Sequence, residues 1–160
     1  MDSECTIFCD IDGVLTYRLS TESSGQPYHL SRVKEFTTNL TMLCALLEPN
    51  LICCSSWRYG RTIAEINGML NTILGIQSNQ FQFTHKLRDR TLAEDYGARD
   101  GMIRRWVDSH RETCKYWLVI DDMWLEGIPW NHHVMPDTGE GFCLGRLSEA
   151  FDKIAKQGGY

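Results

Sequence analysis

The sequence predicts an α/β fold of three layers, a parallel central sheet with helices on both faces. Three observations carry this. Short apolar runs recur at "CTIFCD", "LICCSS" and "YWLVI". Stretches of helical period, roughly 10–15 residues long, separate them. Each run ends in polar residues of the kind that ligands meet at the carboxyl edge of a parallel sheet.

The elements run in this order. "CTIFCD" (5–10) reads as a buried strand. Residues 17–29 are polar, with Gly25 and Pro27, and read as a loop or small flap. Ser31 is placed to cap a helix over 32–47, apolar at Val33, Phe36, Leu40, Leu43, Leu46 and Leu47, which Pro49 and Asn50 end. "LICCSS" (51–56) is the second strand, and 61–74 an amphipathic helix stopped by Gly75. "QFQFT" (80–84) alternates and is read as the third strand. A helix over 99–110 carries Met102, Ile103, Trp106 and Val107 on one side. "YWLVI" (116–120) is the fourth strand, "HHVM" (132–135) an edge strand, and 147–157 a closing helix. Trp106, Trp117, Trp124 and Trp130 read as core or loop anchors. Residues 1–160 read as one domain, because there is no repeat or linker and neither 17–29 nor 85–98 holds a folded cap.

Composition is that of a globular protein, 42% hydrophobic and 23% charged. No apolar run nears the ~20 residues that span a bilayer. The start, "MDSECTIFCD", lacks a basic region followed by an apolar stretch, so the expectation is a cytoplasmic protein without membrane partners. Seven cysteines form no CxxC pair and are read as buried, reduced thiols; the adjacent His132 and His133 are a weaker zinc alternative. A net charge of −5 argues against non-specific nucleic-acid binding. The charge is uneven, however: residues 51–115 hold 10 basic and 7 acidic side chains, against 3 and 7 in each flank. This basic centre includes Arg58, Arg61, Lys86, Arg88, Arg90, Arg99, Arg104 and Arg105; Arg104, Arg105 and Arg111 read as a solvated helix surface.

The functional signal lies in the residues just past each strand. Asp10 and Asp12 come after the first, Ser55 and Ser56 after the second, Asp121 and Asp122 after the fourth, and Lys86, Arg88, Arg90 and Arg99 lie near the third. In a parallel sheet these groups converge on one edge. Four carboxylates there raise one another's pKa, and a divalent cation relieves the repulsion. Mg²⁺ fits best, taking hard oxygen ligands and keeping waters for a phosphate. Asp10 is then placed to attack phosphorus, and Asp12 to protonate the leaving oxygen and activate water. Ser55 and a cation hold the non-bridging oxygens. Gly13 allows a sharp backbone turn beside them.

"DIDGVL", "SSWR", "ARDGMIRRW" and "WLVIDD" resemble, in order and spacing, the four motifs of the haloacid dehalogenase (HAD) phosphatase superfamily. The chain is most similar to the compact HAD domains of Swiss Army Knife RNA-repair proteins and their phage or bacterial stand-alone relatives. The resemblance implies a Rossmann-like HAD fold with a minimal cap or none. It implies Asp10 as nucleophile and Asp12 as general acid/base, with Mg²⁺ on the Asp10 carboxylate, the Asp12 carbonyl and Asp122, and Asp121 behind. It matches Ser55 to the phosphate-binding hydroxyl, with Ser56 offering its backbone N–H. Where most of the superfamily places lysine, Arg99 stands here, and a guanidinium can hold phosphate in two-pronged fashion; Lys86 is the alternative cation. The late segment "DTGEGFCLGRL" departs from the simpler Gly-Leu-Thr expected, so Asp137 and Thr138 are given no role.

An uncapped site suits large substrates such as a nucleic-acid end, or a partner that closes it. Trp57 can stack on a base or merely pack, and Arg58 can pair with a phosphate. Tyr17, Tyr28 and His29 are weighed as a substrate cover. The expected function is a Mg²⁺-dependent phosphomonoesterase acting on nucleotides or nucleic-acid terminal phosphates. The alternatives are a small-metabolite phosphatase, or a non-catalytic module that binds a nucleotide or a protein.

Overall fold

Ladder pairing joins β1 (Cys5–Cys9), β2 (Asn50–Cys53), β3 (His85–Lys86), β4 (Tyr116–Ile120) and β5 (His133–Val134) into one sheet. Every pairing is parallel, and the spatial order is β3-β2-β1-β4-β5. The structure is a computed structural model that describes residues 3–16, 30–88, 99–137 and 139–158, with the side chains of 30 and 31 outside the description. The 17–29 flap with Tyr17, Tyr28 and His29 lies outside the described residues, as do Arg90 and Thr138.

The helices are α1 (Leu30–Leu47), α2 (Ile63–Leu74), α3 (Arg99–Ser109) and α4 (Leu144–Lys156). Strand alternation sorts them into layers. Ile7 and Cys9 of β1, with Leu118 and Ile120 of β4, share one core with Phe36 and Leu40 of α1, Leu70 of α2 and Ile154 of α4. Phe8, Ile52 and Val119 point to the opposite face and meet Met102 and Ile103 of α3. β1 is buried along its whole length, as a strand covered on both faces must be. Among the described residues, no helix is long and apolar enough to cross a membrane.

Three boundaries differ from the sequence reading. The third strand is His85–Lys86 and not 80–84. The alternation at Phe81 and Phe83 is real, since both rings are buried. But the main chain of Phe83 is held by one side chain: Asn67 Nδ2 donates to its carbonyl at 3.0 Å, and its N–H donates to Asn67 Oδ1 at 3.0 Å. An amide clamp stands in place of the ladder bonds that alternation implies. α1 begins at Leu30, so Ser31 lies inside its first turn instead of before it. α4 begins at Leu144, ahead of the first periodic apolar residue, Leu147.

Register levels the functional edge. Cys9 lies opposite both Cys53 and Ile120, so Asp10, Cys54 and Asp121 leave the sheet side by side. Asp10 N–H donates to the Ile120 carbonyl (2.9 Å), and Cys54 N–H to the Cys9 carbonyl (3.1 Å).

Candidate active site

The chain turns at once after β1. The Ile11 carbonyl accepts from Val14 N–H (3.2 Å) and Leu15 N–H (2.9 Å), and Gly13 sits at φ +81°, a left-handed conformation that glycine takes without penalty. The turn separates the two aspartates: Asp10 is buried, Asp12 exposed. Trp57 Nε1 donates to Asp12 Oδ2 at 3.0 Å, and the Thr16 hydroxyl makes a longer bond, 3.4 Å, to Asp12 Oδ1.

Asp10, Asp121 and Asp122 each bring one carboxylate oxygen within 4.8 Å of the others. Burial and the Asp121 charge push the Asp10 carboxyl up to about 6, while Arg99 and bonds from Ile11 and Ser55 pull it back. Asp121, fully buried, is raised by burial too, and Asp122 is raised by burial and then by the charge of Asp10, with which it is in hydrogen-bond contact. All three groups therefore ionise reluctantly unless a cation is near.

Arg99, at the first turn of α3, supplies one. Its Nη1 pairs with Asp121 Oδ2 and lies 3.3 Å from Asp10 Oδ2. Burial pulls this guanidinium down, and Asp121 and Asp10 more than reverse it, so it stays charged. Asp121 is also tied at its other oxygen, which accepts from Met123 N–H at 2.9 Å. Both Asp121 oxygens thus have partners within the protein.

On the β2 side, Ser55 is buried and precedes a short 3₁₀ turn over Ser56–Arg58, its hydroxyl accepting from Trp57 N–H at 3.2 Å. Ser56 is exposed at the mouth. Arg58 differs from the sequence reading. Its side chain is 1% exposed, and Nη1 donates to the carbonyls of Cys54 (2.7 Å) and Ser55 (2.9 Å), so it faces the main chain and not a phosphate. Carbonyls left by the 3₁₀ turn need donors, and a buried guanidinium has five N–H groups to give. Lys86 Nζ in turn donates to the Arg58 carbonyl at 3.3 Å.

A family model described as the HAD domain in Swiss Army Knife RNA repair proteins matches residues 6–144. The chain belongs to this HAD family. No curated protein matches the sequence. HAD membership brings hydrolase chemistry in general.

The other residues singled out in the sequence are placed as follows. The seven cysteines are free thiols, and burial raises the pKa of Cys9, Cys53 and Cys54. The two adjacent histidines part company: His132 stacks on Trp117 at 3.9 Å, while buried His133 donates Nε2–H to the Asp121 carbonyl at 3.0 Å. Trp106 and Trp117 pack against the α3 side of the sheet, whereas Trp124 (66% exposed) and Trp130 (58%) are no core residues. Two supports escape sequence reasoning. Thr16 carries a faint signal, a hydroxyl four residues after Asp12 that can bond back across the turn. His133 carries none, since only the β4–β5 register sets it beside Asp121.

Proposed function

We propose that this HAD domain is a Mg²⁺-dependent phosphomonoesterase that works through an aspartyl-phosphate, on nucleotides or the terminal phosphates of nucleic acid. The observation that carries it is the trio of buried Asp10 and Asp121 with half-buried Asp122, drawn to within 4.8 Å with only Arg99 to offset their charge among the described residues. Hard, mutually repelling oxygens are the donor set that Mg²⁺ takes. Asp10, Asp122 and the Asp12 carbonyl would hold the ion; Asp121, whose oxygens already serve Arg99 and Met123, stands behind them. Mg²⁺ there supplies charge neutralisation at the phosphoryl oxygens.

The chain's own residues do the rest. An Asp10 oxygen forms a bond to phosphorus as the ester oxygen leaves with its electron pair, and protonated Asp12 gives that oxygen its proton. Asp12, now a carboxylate, takes a proton from water. The water oxygen bonds to phosphorus, the Asp10–phosphorus bond breaks, and inorganic phosphate departs. The Trp57 bond keeps Asp12 turned to the site. Ser55 and Arg99 hold the non-bridging oxygens, and Ser56 offers its N–H; Arg99 fits the cation role better than Lys86, because Arg99 already reaches the carboxylates. The nucleic-acid end is favoured by the family's description and by the single domain lacking a cap that the sequence suggests.

Phosphate release from an aryl phosphate, nucleotides and phosphorylated oligonucleotides, with and without Mg²⁺, tests the proposal. Release that needs Mg²⁺ and disappears in Asp10→Asn supports it. A wild-type protein inactive across the panel overturns it and leaves a binding module.

A further inference from the structure

Two neighbouring side chains in the first turn of α3 hold opposite ends of one loop. Arg99 pairs with Asp121, where the chain leaves β4, and Asp100 Oδ2 accepts from Gly127 N–H at 2.7 Å. The stretch between these grips carries Asp122 and turns Met123 and Trp124 outward as exposed side chains. We propose that Asp100 is a positioning residue, whose bond to Gly127 latches this loop to α3 and thereby fixes the Arg99 guanidinium against Asp10 and Asp121.

The latch is a close fit. Gly127 does not take a left-handed backbone, so conformation does not demand a glycine there. Space does: a methyl group built on Gly127 would lie 2.6 Å from Asp100 Oδ2 and 3.2 Å from its Cγ, so any larger residue displaces the carboxylate. Asp100 has no oxygen to spare for chemistry of its own. Its Oδ1 accepts from Gly101 N–H at 2.9 Å, so both oxygens serve main-chain donors, at the helix end where a negative charge is favoured.

Arg99 is the residue that needs holding. It opens α3, and helix ends fray unless their groups are tied. Its Nη1 pairs with Asp121 and lies 3.3 Å from Asp10 Oδ2, at the tip of a long side chain. Motion of the first turn therefore becomes displacement at the carboxylates. The far end of the loop is itself packed, because Leu125 and Ile128 are buried in one cluster with Met102 and Ile103 of α3. The Gly127 bond thus joins the first turn to a fixed frame and does not merely tether a free segment.

This inference rests on the phosphomonoesterase reading only for what Arg99 then does to a phosphate, and its test separates the two. Three variants are compared with wild type. Asp100→Ala removes the acceptor, and Gly127→Ala opens the latch from its other side without removing a charge. Asp108→Ala is the control, an exposed acid of the same helix paired with Arg111. The first arm needs no turnover. In protein isotope-labelled at arginine nitrogen, the Arg99 guanidinium resonances are assigned by their loss in Arg99→Lys. A guanidinium held by two carboxylates rotates slowly, so wild type should show separate Nη signals. Asp100→Ala and Gly127→Ala should each merge them, and Asp108→Ala should not.

The second arm is kinetic. KM for an aryl phosphate and the inhibition constant of inorganic phosphate should rise about tenfold in Asp100→Ala and in Gly127→Ala, with the double variant no worse than either alone. In an Arg99→Ala background, Asp100→Ala should add nothing. Arg99 signals that stay separate in either variant, whatever its thermal midpoint, would overturn the inference and leave the bond a structural one. Nη signals already merged in wild type would overturn it too. A protein that hydrolyses no ester, but whose Arg99 signals merge in both variants, keeps the latch and sinks the phosphatase reading. A phosphatase with Arg99 signals and KM unmoved by either substitution does the reverse.

Discussion

Gly13 and Asp122 occupy one another's space: a methyl group built on Gly13 would have all three atoms of the Asp122 carboxylate within 3.0 Å. The glycine of "DIDG" therefore does two things. It takes φ +81°, and by lacking a side chain it lets the fourth-strand carboxylate reach Asp10. Gly13→Ala should cost roughly 1–2 kcal/mol from the left-handed backbone alone. It should also abolish the rise in thermal midpoint expected when Mg²⁺ is added to wild type, because Asp122 is displaced. Calorimetry with and without Mg²⁺ checks both; a Gly13→Ala protein that Mg²⁺ still stabilises fully would contradict the crowding.

Asp10 should destabilise the metal-free protein at neutral pH. Its carboxyl rises from 3.8 in the unfolded chain to about 6, so between those values the folded state holds a proton that the unfolded chain has lost. Stability from this group thus falls as pH rises through about 4 to 6 and stays low above. Asp10→Asn in chelator should accordingly raise the thermal midpoint at pH 7.5, by an energy of up to about 3 kcal/mol, with the gain fading toward pH 4. A lowered midpoint at pH 7.5 would mean that the Arg99 pair outweighs burial. Mg²⁺ should stabilise wild type more at pH 7.5 than at pH 5.

Arg58 holds the end of β2 in place, with Nη1 donating to the Cys54 and Ser55 carbonyls. Arg58→Ala strips donors from the Cys54 and Ser55 carbonyls and should cost about 2–4 kcal/mol in a urea titration. Arg58→Lys cannot restore both bonds and should recover less than half. A variant that keeps wild-type stability while KM alone rises would return Arg58 to phosphate binding.

Trp57 should matter to kcat through Asp12. Trp57→Phe keeps an aromatic ring and loses the 3.0 Å bond to Asp12 Oδ2. The bond fixes the direction of the Asp12 carboxyl, and losing a typical hydrogen bond of about 0.5–1.5 kcal/mol should lower kcat by roughly two- to tenfold with KM little changed. Steady-state kinetics decides; a rise in KM at constant kcat would make Trp57 a stacking surface only.

Much of this is legible in the sequence because the sheet obeys short-range rules. Apolar runs name β1, β2 and β4, and the parallel arrangement then delivers Asp10, Ser55 and Asp121 to one edge without further information. Two kinds of feature stay hidden. Arg58 reads from its neighbours as a phosphate ligand, and only the main-chain carbonyls it finds after folding turn it inward. The strand at 85–86 escapes because Asn67, 16 residues away, takes the Phe83 backbone bonds that alternation alone assigns to a ladder.

The most direct measurement traps the phosphoryl group on Asp10. Asp12→Asn removes the proton donor, which an aryl phosphate with its good leaving group does not need, and removes the base that activates water for the second step. Incubation with Mg²⁺ and an aryl phosphate, acid quench and peptide mass spectrometry should find one phosphoryl group on the peptide that contains Asp10, labile to hydroxylamine and absent without Mg²⁺. Turnover that persists in Asp10→Asn, or a phosphoryl group on any other residue, would contradict the account.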